Sequence, residues 1–341
     1  MDGGLREIAR ASEVSHALSP DLLPAGSAVL VACSGGADST ALAAALTARA
    51  GDLSLRVVLG HVDHALRADS PQDADRVAKL AALLEVPFHS ARLGSLREEI
   101  RALGLEAAAR EARYEALANL AREAGCDRIA TAHTRRDQAE TILLRLARGA
   151  GPGALAGIRQ DRVLTSGVRL VRPLLDVPRE ATEALCERLC LWFSRDPHNS
   201  DPQRARARLR AVWPVLLEAL GPRLEQALAG SARIAADEDA LLQTLASEAL
   251  REAEVPGGLD ALALARLPPA LARRCLLAAS AGVLRPERSH LEQMVGLLEK
   301  PRAAMDVPGG RFLVVSGVLR IEDRAGCARQ ESSGPSRAGA K

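Results

Sequence analysis

An apolar run that breaks on two glycines and restarts at once as a helix constrains this chain more than any other feature. Leu30-Val31-Ala32-Cys33-Ser34-Gly35-Gly36-Ala37-Asp38-Ser39-Thr40 reads as a strand, a tight turn and a helix N-terminus. Ser27–Cys33 is apolar without alternation, the pattern of a strand covered on both faces. Asp38–Ala50 follows as an alanine-rich helix, and the alternation repeats: strand Leu55–Val62, helix Asp73–Leu84, strand Val86–Leu93, helices through Leu96–Glu123, strand Arg128–Ala132, helix Asp137–Arg148. Strand, crossover helix, strand predicts an α/β fold, doubly wound around a mostly parallel sheet. In such sheets ligands sit beyond the carboxyl ends of the strands.

The turn itself admits two readings. Gly35 and Gly36 permit a tight turn and let backbone N–H groups approach a ligand with no Cβ in the way. Ser34 and Ser39 add hydroxyls, and the positive end of the next helix faces the turn, which suits a phosphate. A carboxylate at Asp38 repels phosphate unless Mg2+ lies between them or the side chain caps the helix. That cap is the bland reading. Neither the lysine-bearing P-loop pattern nor GxGxxG is present in this turn.

The other loops on that edge carry further chemistry. While a strand period of two holds, His61 and Asp63 point the same way and both can face a nucleotide, with His64 just beyond. Two His and one Asp invite a metal, but His at i and i+3 across a strand end is poor ligand geometry, and hydrogen-bonded structural histidines are the plainer account. His133, Asp137 and Glu140 fall at i, i+4 and i+7, one helix face near its positive end. The two acids either complement the helix dipole or bind an ammonium group. Arg110 and Arg113 stand at i, i+3, as solvated salt-bridge partners or as a clamp on phosphate.

A chain of 341 residues suits two domains. After Gly149-Ala150-Gly151-Pro152-Gly153 come a hairpin around Ser166-Gly167, a helix near Pro178–Leu191 and another over Arg204–Leu220. The expected boundary lies near Gly221-Pro222: residues 1–220 form the sheet domain, 221–329 a smaller, mostly helical one with a strand pair around Gly317, and 330–341 a disordered tail. Aromatics at 2% leave little for stacking platforms on nucleobases. Six cysteines without a CxxC pair read as thiols in a reducing cytosol. No signal-like start and no run of roughly 20 apolar residues is present, so the expectation is a cytoplasmic protein without a membrane segment. The net charge of +2 is near neutral, yet residues 145–233 hold 15 Arg against 9 Asp plus Glu, a balance that favours phosphate partners.

The SGGxDS pattern resembles the pyrophosphate loop of the N-type ATP pyrophosphatases, which attack the α-phosphate of ATP and release pyrophosphate. SGGADS, HVDHALR, AREARY, AHTRRDQAETILLRLARGAG and VRPLLDVPRE, in this order, are together similar to the tRNA(Ile)-lysidine synthases, over about Ser27–Leu216. Arg208-Leu209-Arg210 with Pro214-Val215-Leu216 also resembles that family's arginine-bearing helix, whereas Cys33 and Ala207 depart from its pattern. Past Gly221 the likeness rests on a helical layout and the Pro308-Gly309-Gly310 hairpin entry.

The resemblance implies an adenine nucleotide α-hydrolase-like fold and a tRNA-modifying ligase. Its partners would be ATP, Mg2+, L-lysine and tRNA(Ile) with the CAU anticodon, and a homodimer stays open as the assembly. The wobble cytidine would be adenylated at its C2 oxygen, and the lysine ε-amine would then displace AMP. Since that amine has an ordinary pKa of about 10.4, a proton acceptor is required. Carried over residue by residue, Ser34, Gly35, Gly36, Ala37 and Ser39 take the pyrophosphate end of ATP, and Asp38 takes Mg2+ or the reacting centre. His61, Asp63 and His64 line the nucleotide side. Asp137 and Glu140 hold the lysine substrate, Arg113 meets the α-phosphate or the lysine carboxylate, and His133 stands beside the reacting centre. Arg145, Arg148, Arg204, Arg206, Arg208 and Arg210 are the candidate tRNA surface, although arginines at every second residue cannot share one helical face.

Two rival readings remain at this point. A tRNA thiolase on the same scaffold would use cysteine pairs, and Cys186 and Cys190, four apart on the expected helix, read instead as core packing beside Leu185 and Leu189. A non-catalytic ATP-binding module would gain nothing from two carboxylates beside a polyanion.

Overall fold

The computed structural model describes residues 3–63, 70–94, 105–194 and 205–323. The chain divides into two units: Met1–Ala150 with Ala154–Arg233, and Gly151–Gly153 with Ile234–Lys341.

The first unit opens with α1 (Gly3–Arg10) and α2 (Glu13–His16), followed by β1 (Ala28–Ala32), α3 (Ala37–Arg49), β2 (Arg56–Asp63), α4 (Ser70–Leu84) and β3 (Phe88–Arg92). Next come α5 (Leu105–Glu123), β4 (Arg128–Ala130), α6 (Arg135–Ala147) and the one-turn α7 (Pro152–Leu155), whose first two residues are counted with the second unit. A hairpin of β5 (Asp161–Thr165) and β6 (Val168–Val171) turns at Ser166-Gly167, where Gly167 takes φ +76°. The helices α8 (Arg179–Arg188) and α9 (Ala205–Leu220) follow.

The six strands line up as β3-β2-β1-β4-β6-β5. Every neighbouring pair is parallel except β5 with β6. β1 therefore lies between β2 and β4, and the crevice of a doubly wound sheet opens where its carboxyl end meets that of β4. The unalternating run in β1 has its physical reason here. Val29 and Val31 pack with Ala41–Leu46 of α3 and with Leu185 and Cys186 of α8, while Leu30 packs on the opposite face with Tyr114, Leu117 and Ala121 of α5. Period-two side chains with apolar helices on both faces leave no position for a polar residue.

Two features differ from the expected layout. The helix expected to reach Leu191 stops at Arg188, and Cys190 lies beyond it, exposed and at φ +52°, so it is no helical neighbour of buried Cys186. The unit boundary falls inside α10 (Leu224–Glu252), between Arg233 and Ile234, and not at Gly221-Pro222. The cause is visible at Glu225, a buried carboxylate in the first turn of α10 that is paired with both Arg135 and Arg136 of α6.

The second unit contains the rest of α10, β7 (Glu254–Val255), β8 (Gly258–Asp260), α11 (Ala261–Ala265), α12 (Pro269–Ala279), α13 (Arg288–Leu297), β9 (Arg302–Val307), β10 (Gly310–Val315) and β11 (Val318–Asp323). Its strands form a sheet in the order β7-β8-β11-β10-β9, antiparallel throughout. Phe312, Val314 and Leu319 of that sheet share a core with Leu264, Cys275, Leu276 and Met294 of the helices. The strand pair around Gly317 is thus the centre of a larger sheet. Among the described residues no helix is long and apolar enough to cross a membrane.

Candidate active site

β1 delivers the chain into a loop that the protein holds from several sides. Gly35 takes φ +82°, in the left-handed region that only glycine enters freely. The Ser34 N–H donates to Ser39 Oγ (3.2 Å), and Ser39 Oγ donates to the Gly36 carbonyl (3.0 Å), so the first turn of α3 folds back on the loop. His61, buried on β2, donates from Nδ1 to the Cys33 carbonyl (2.9 Å) and buttresses the loop where it leaves the sheet. From the far side Ser194 N–H donates to the Gly35 carbonyl (2.8 Å). Gly36 is different: its φ is −78°, and a Cβ there would meet only Ser34 Oγ at 3.7 Å. The protein's own packing does not demand a glycine at that position.

Asp38 does not cap α3. The cap position belongs to Gly36 and has no side-chain hydrogen bond, and Asp38 Oδ1 accepts from Thr182 Oγ1 of α8. Burial pushes the Asp38 carboxyl up to about 6, with Asp137 and Glu183 adding to the rise and Thr182 and Arg179 opposing it. A desolvated carboxylate at a loop of this shape suits a cation. Mg2+ is commonly held by one or two carboxylates together with phosphate oxygens, so the donor set fits.

The acid pair lies on α6. Thr134 and Asp137 form a reciprocal capping box, in which the Thr134 N–H donates to Asp137 Oδ2 at 2.9 Å. Glu140 is fully buried, and Arg210 of α9 spans both acids: Nε donates to Glu140 Oε1 (2.7 Å), and Nη2 donates to Glu140 Oε2 (3.1 Å) and Asp137 Oδ1 (3.2 Å). Burial raises Glu140 against the pull of Arg210, whereas Asp137, despite burial, is held below its usual range by His133, the Thr134 N–H, Arg210 and Arg206.

His133 bonds Thr131 through Nδ1 (3.1 Å). Burial holds its pKa well below the ordinary imidazole range, Asp137 opposes this, and Arg172, Arg113 and Arg110 reinforce it. At neutral pH the ring is uncharged, able to accept a proton but not to act as a fixed cation.

Comparisons with known proteins identify the family and the fold. A family model described as a PP-loop domain matches residues 8–216. A tRNA(Ile)-lysidine synthase of Salinispora tropica is 44% identical, with 92% of each chain covered, and that of Gloeobacter violaceus is 38% identical, covering 86% of this chain and 90% of the relative. The chain belongs to the tRNA(Ile)-lysidine synthase family. A U34-tRNA thiolase of Methanococcus maripaludis shares the fold, with TM-score 0.54 at 19% identity over 68% of this chain and 78% of that one.

Within a lysidine synthase fold, the structure sorts the residues singled out in the sequence. Ser34, Gly35, Gly36, Ala37, Asp38 and Ser39 form one loop and helix start, and Asp137, Glu140 and His133 gather around α6. Asp63 is buried and pairs with Arg92 (3.6 Å). His64 and Arg204 lie outside the described residues, as does the expected tail. The arginines separate by role. Arg145 donates to the carbonyls of Ala154 and Gly157 (2.6 and 2.8 Å), Arg206 donates to Thr141 Oγ1 (2.9 Å), and Arg210 turns onto the acids, while Arg148 and Arg208 are exposed. Arg206 and Arg210, one turn apart, share the face of α9 that meets α6, as helical spacing requires.

Sequence reasoning did not single out Thr182, Ser194 or Arg172 as site residues. Arg172 stands inside the quoted VRPLLDVPRE motif, so a signal for it was present. Thr182 and Ser194 act through contacts with residues 144 positions away and at Gly35, for which no local pattern exists.

Proposed function

We propose that this chain uses ATP to adenylate the C2 oxygen of the wobble cytidine in tRNA(Ile) with a CAU anticodon, and then joins lysine through its ε-amine at C2. AMP and pyrophosphate leave, and lysidine is formed. The observation that carries the reading is the pair Asp137 and Glu140, folded around a guanidinium within electrostatic reach of Asp38. Two carboxylates that accept one cation beside a phosphate loop suit a substrate ammonium. A passive nucleotide binder would gain nothing from them.

In this reading the loop residues Ser34, Gly35, Gly36, Ala37 and Ser39 hold the pyrophosphate end of ATP, with His61, Asp63 and His64 on the nucleotide side. Mg2+, held by Asp38, would neutralise phosphate charge when bound. Asp137 and Glu140 receive the lysine ammonium, which would share or replace the contacts made by Arg210. Arg113 meets the α-phosphate or the lysine carboxylate, and uncharged His133 stands ready to accept a proton. Arg148 and Arg208, both exposed, contribute to the tRNA surface.

Mass spectrometry of unmodified tRNA(Ile) transcript with anticodon CAU, incubated with the protein, Mg-ATP and lysine, tests the reading. The expected product is heavier by lysine minus water, with no gain on a methionine tRNA of the same anticodon. AMP formation without that gain would point to a different nucleophile and overturn it. Asp38→Ala is expected to keep the fold, because Asp38 is not the cap, and to lose AMP formation.

A further inference from the structure

Four arginines converge on one phenol ring. The guanidinium carbons of Arg110 and Arg113 of α5 lie 5.3 and 5.2 Å from the centroid of Tyr114, and that of Arg162 on β5 lies 4.9 Å away. Arg172, just past the end of β6, donates from Nη2 to Tyr114 Oη at 3.4 Å. Among the described residues none of the four forms an ion pair with a carboxylate. At their centre is a phenol, whose pKa burial raises and the surrounding arginines, outweighing burial, lower.

The cluster is also short of hydrogen-bond partners. Arg172 is 2% exposed, and its Nε has no partner; Arg113 Nε is likewise buried and unpartnered. Buried polar groups are ordinarily satisfied, and buried charges are ordinarily paired. Arg172 Nη1 donates to the Arg159 carbonyl (2.5 Å) and Nη2 to Tyr114, which leaves the two Nε donors and the positive charge itself for an anion to satisfy. Arg172 forms the floor, exposed Arg110 and half-exposed Arg162 form the rim, and the cluster opens at the carboxyl edge of the sheet.

Its place in the sheet favours one anion over another. The nucleotide loop follows β1, whereas Arg162 stands on β5, three strand spacings away in the order β1-β4-β6-β5. That is about 14 Å at the usual separation of strands. A chain of phosphates reaches both places more readily than one triphosphate. We infer that Arg110, Arg162 and Arg172, with Arg113 shared with the reacting centre, form a seat for phosphodiester groups of the substrate RNA strand next to the modified nucleotide. This rests on the tRNA reading above, and it lies apart from the arginines of α6 and α9.

The test compares wild type with the full-length double variant Arg110→Ala/Arg162→Ala. Labelled tRNA(Ile) transcript is titrated over a salt series, and Mg-ATP binding is measured by calorimetry. The expected result is weaker tRNA binding with a log–log salt slope shallower by about 1.4, two contacts at roughly 0.7 each for a single strand, and an unchanged Mg-ATP Kd. Arg110→Lys/Arg162→Lys, which keeps both charges, should restore most of the slope. A raised Mg-ATP Kd with an unchanged slope would give the cluster to the triphosphate and overturn the seat. Unchanged values for both ligands would make it structural. Wild type that binds no tRNA overturns the functional reading and the seat together, whereas wild-type binding with an unaltered slope in the variant overturns the seat alone.

Discussion

The two charge clusters that act on His133 are built on opposite terms. On one side Asp137 and Glu140 close around Arg210, so that acids and base cancel within the protein. On the other Arg110, Arg113, Arg162 and Arg172 crowd Tyr114, and among the described residues no carboxylate pairs with them. The acids of the first cluster are answered within the protein, so a substrate ammonium would have to share or displace Arg210. The arginines of the second have no such partner among the described residues. The difference teaches that a ligand must compete for the first cluster and would complete the second.

The sharpest way to break this contrast is to remove one charge from each cluster. Glu140→Ala leaves Arg210 facing a buried gap and should lower the unfolding free energy by about 3 kcal/mol, the low end for a broken buried pair because Arg210 is partly exposed. Arg110→Ala removes one of several like charges and should stay within about 0.5 kcal/mol of wild type, or gain. Urea denaturation of both variants decides it. Equal losses would mean that the arginine cluster is as structural as the acid pair. In kinetics Glu140→Ala should also raise the lysine KM, with ATP binding retained.

The same division runs through the nucleotide loop, where the expected effects are smaller. Gly35→Ala forces a side chain to φ +82° and should cost about 1–2 kcal/mol in stability. Gly36→Ala, at φ −78° with open space around its Cβ, should change stability by less than about 0.5 kcal/mol. It should nonetheless raise the Mg-ATP Kd by roughly tenfold, about 1.4 kcal/mol. If Gly36→Ala binds Mg-ATP normally, the room beside Gly36 has no part in binding.

Asp38 gives the most pH-bound effect. Its folded pKa, about 6, lies above the ordinary aspartate value of about 3.9, so its ionisation works against the fold. The contribution of the protonated form is complete below about pH 4 and is lost as the pH rises through 6. Asp38→Asn should therefore raise Tm by roughly 2–4 °C, the shift expected from about 1 kcal/mol in a domain of this size, at pH 7–8. Below pH 4 the difference should shrink towards zero. An unchanged Tm at pH 8 would mean that the carboxylate is paid for by partners other than Thr182.

Much of the first unit is legible in the sequence, because its signals are local. The unbroken apolar run of β1, the glycine turn and the alanine-rich α3 are each encoded in a dozen residues, and each forms within a residue or two of its expected bounds. The second unit is less legible. β9 reads Arg-Ala-Ala-Met-Asp-Val, with weak strand formers whose place is fixed by pairing with β10. The chemistry of the acid pair is visible in its spacing, yet its partner Arg210 comes from a helix 70 residues on, in a stretch that charge alone marks as a nucleic-acid surface. The capping reading of Asp38 fails for the same reason: the competing donor, Thr182, is 144 residues distant. The arginine cluster draws from α5, β5 and the end of β6, and no periodicity joins them.

The bond from the Ser194 N–H to the Gly35 carbonyl sets an order of assembly. As the chain leaves the ribosome, β1, β2 and β3 can form early, but the loop that follows β1 stays open on one side until residue 194 has emerged. Contacts of such sequence separation form late, after local helices and hairpins are in place. A nascent or truncated chain would carry every residue of the glycine loop and still lack its finished shape, so competence for the nucleotide is acquired only when nearly all of the first unit has been made.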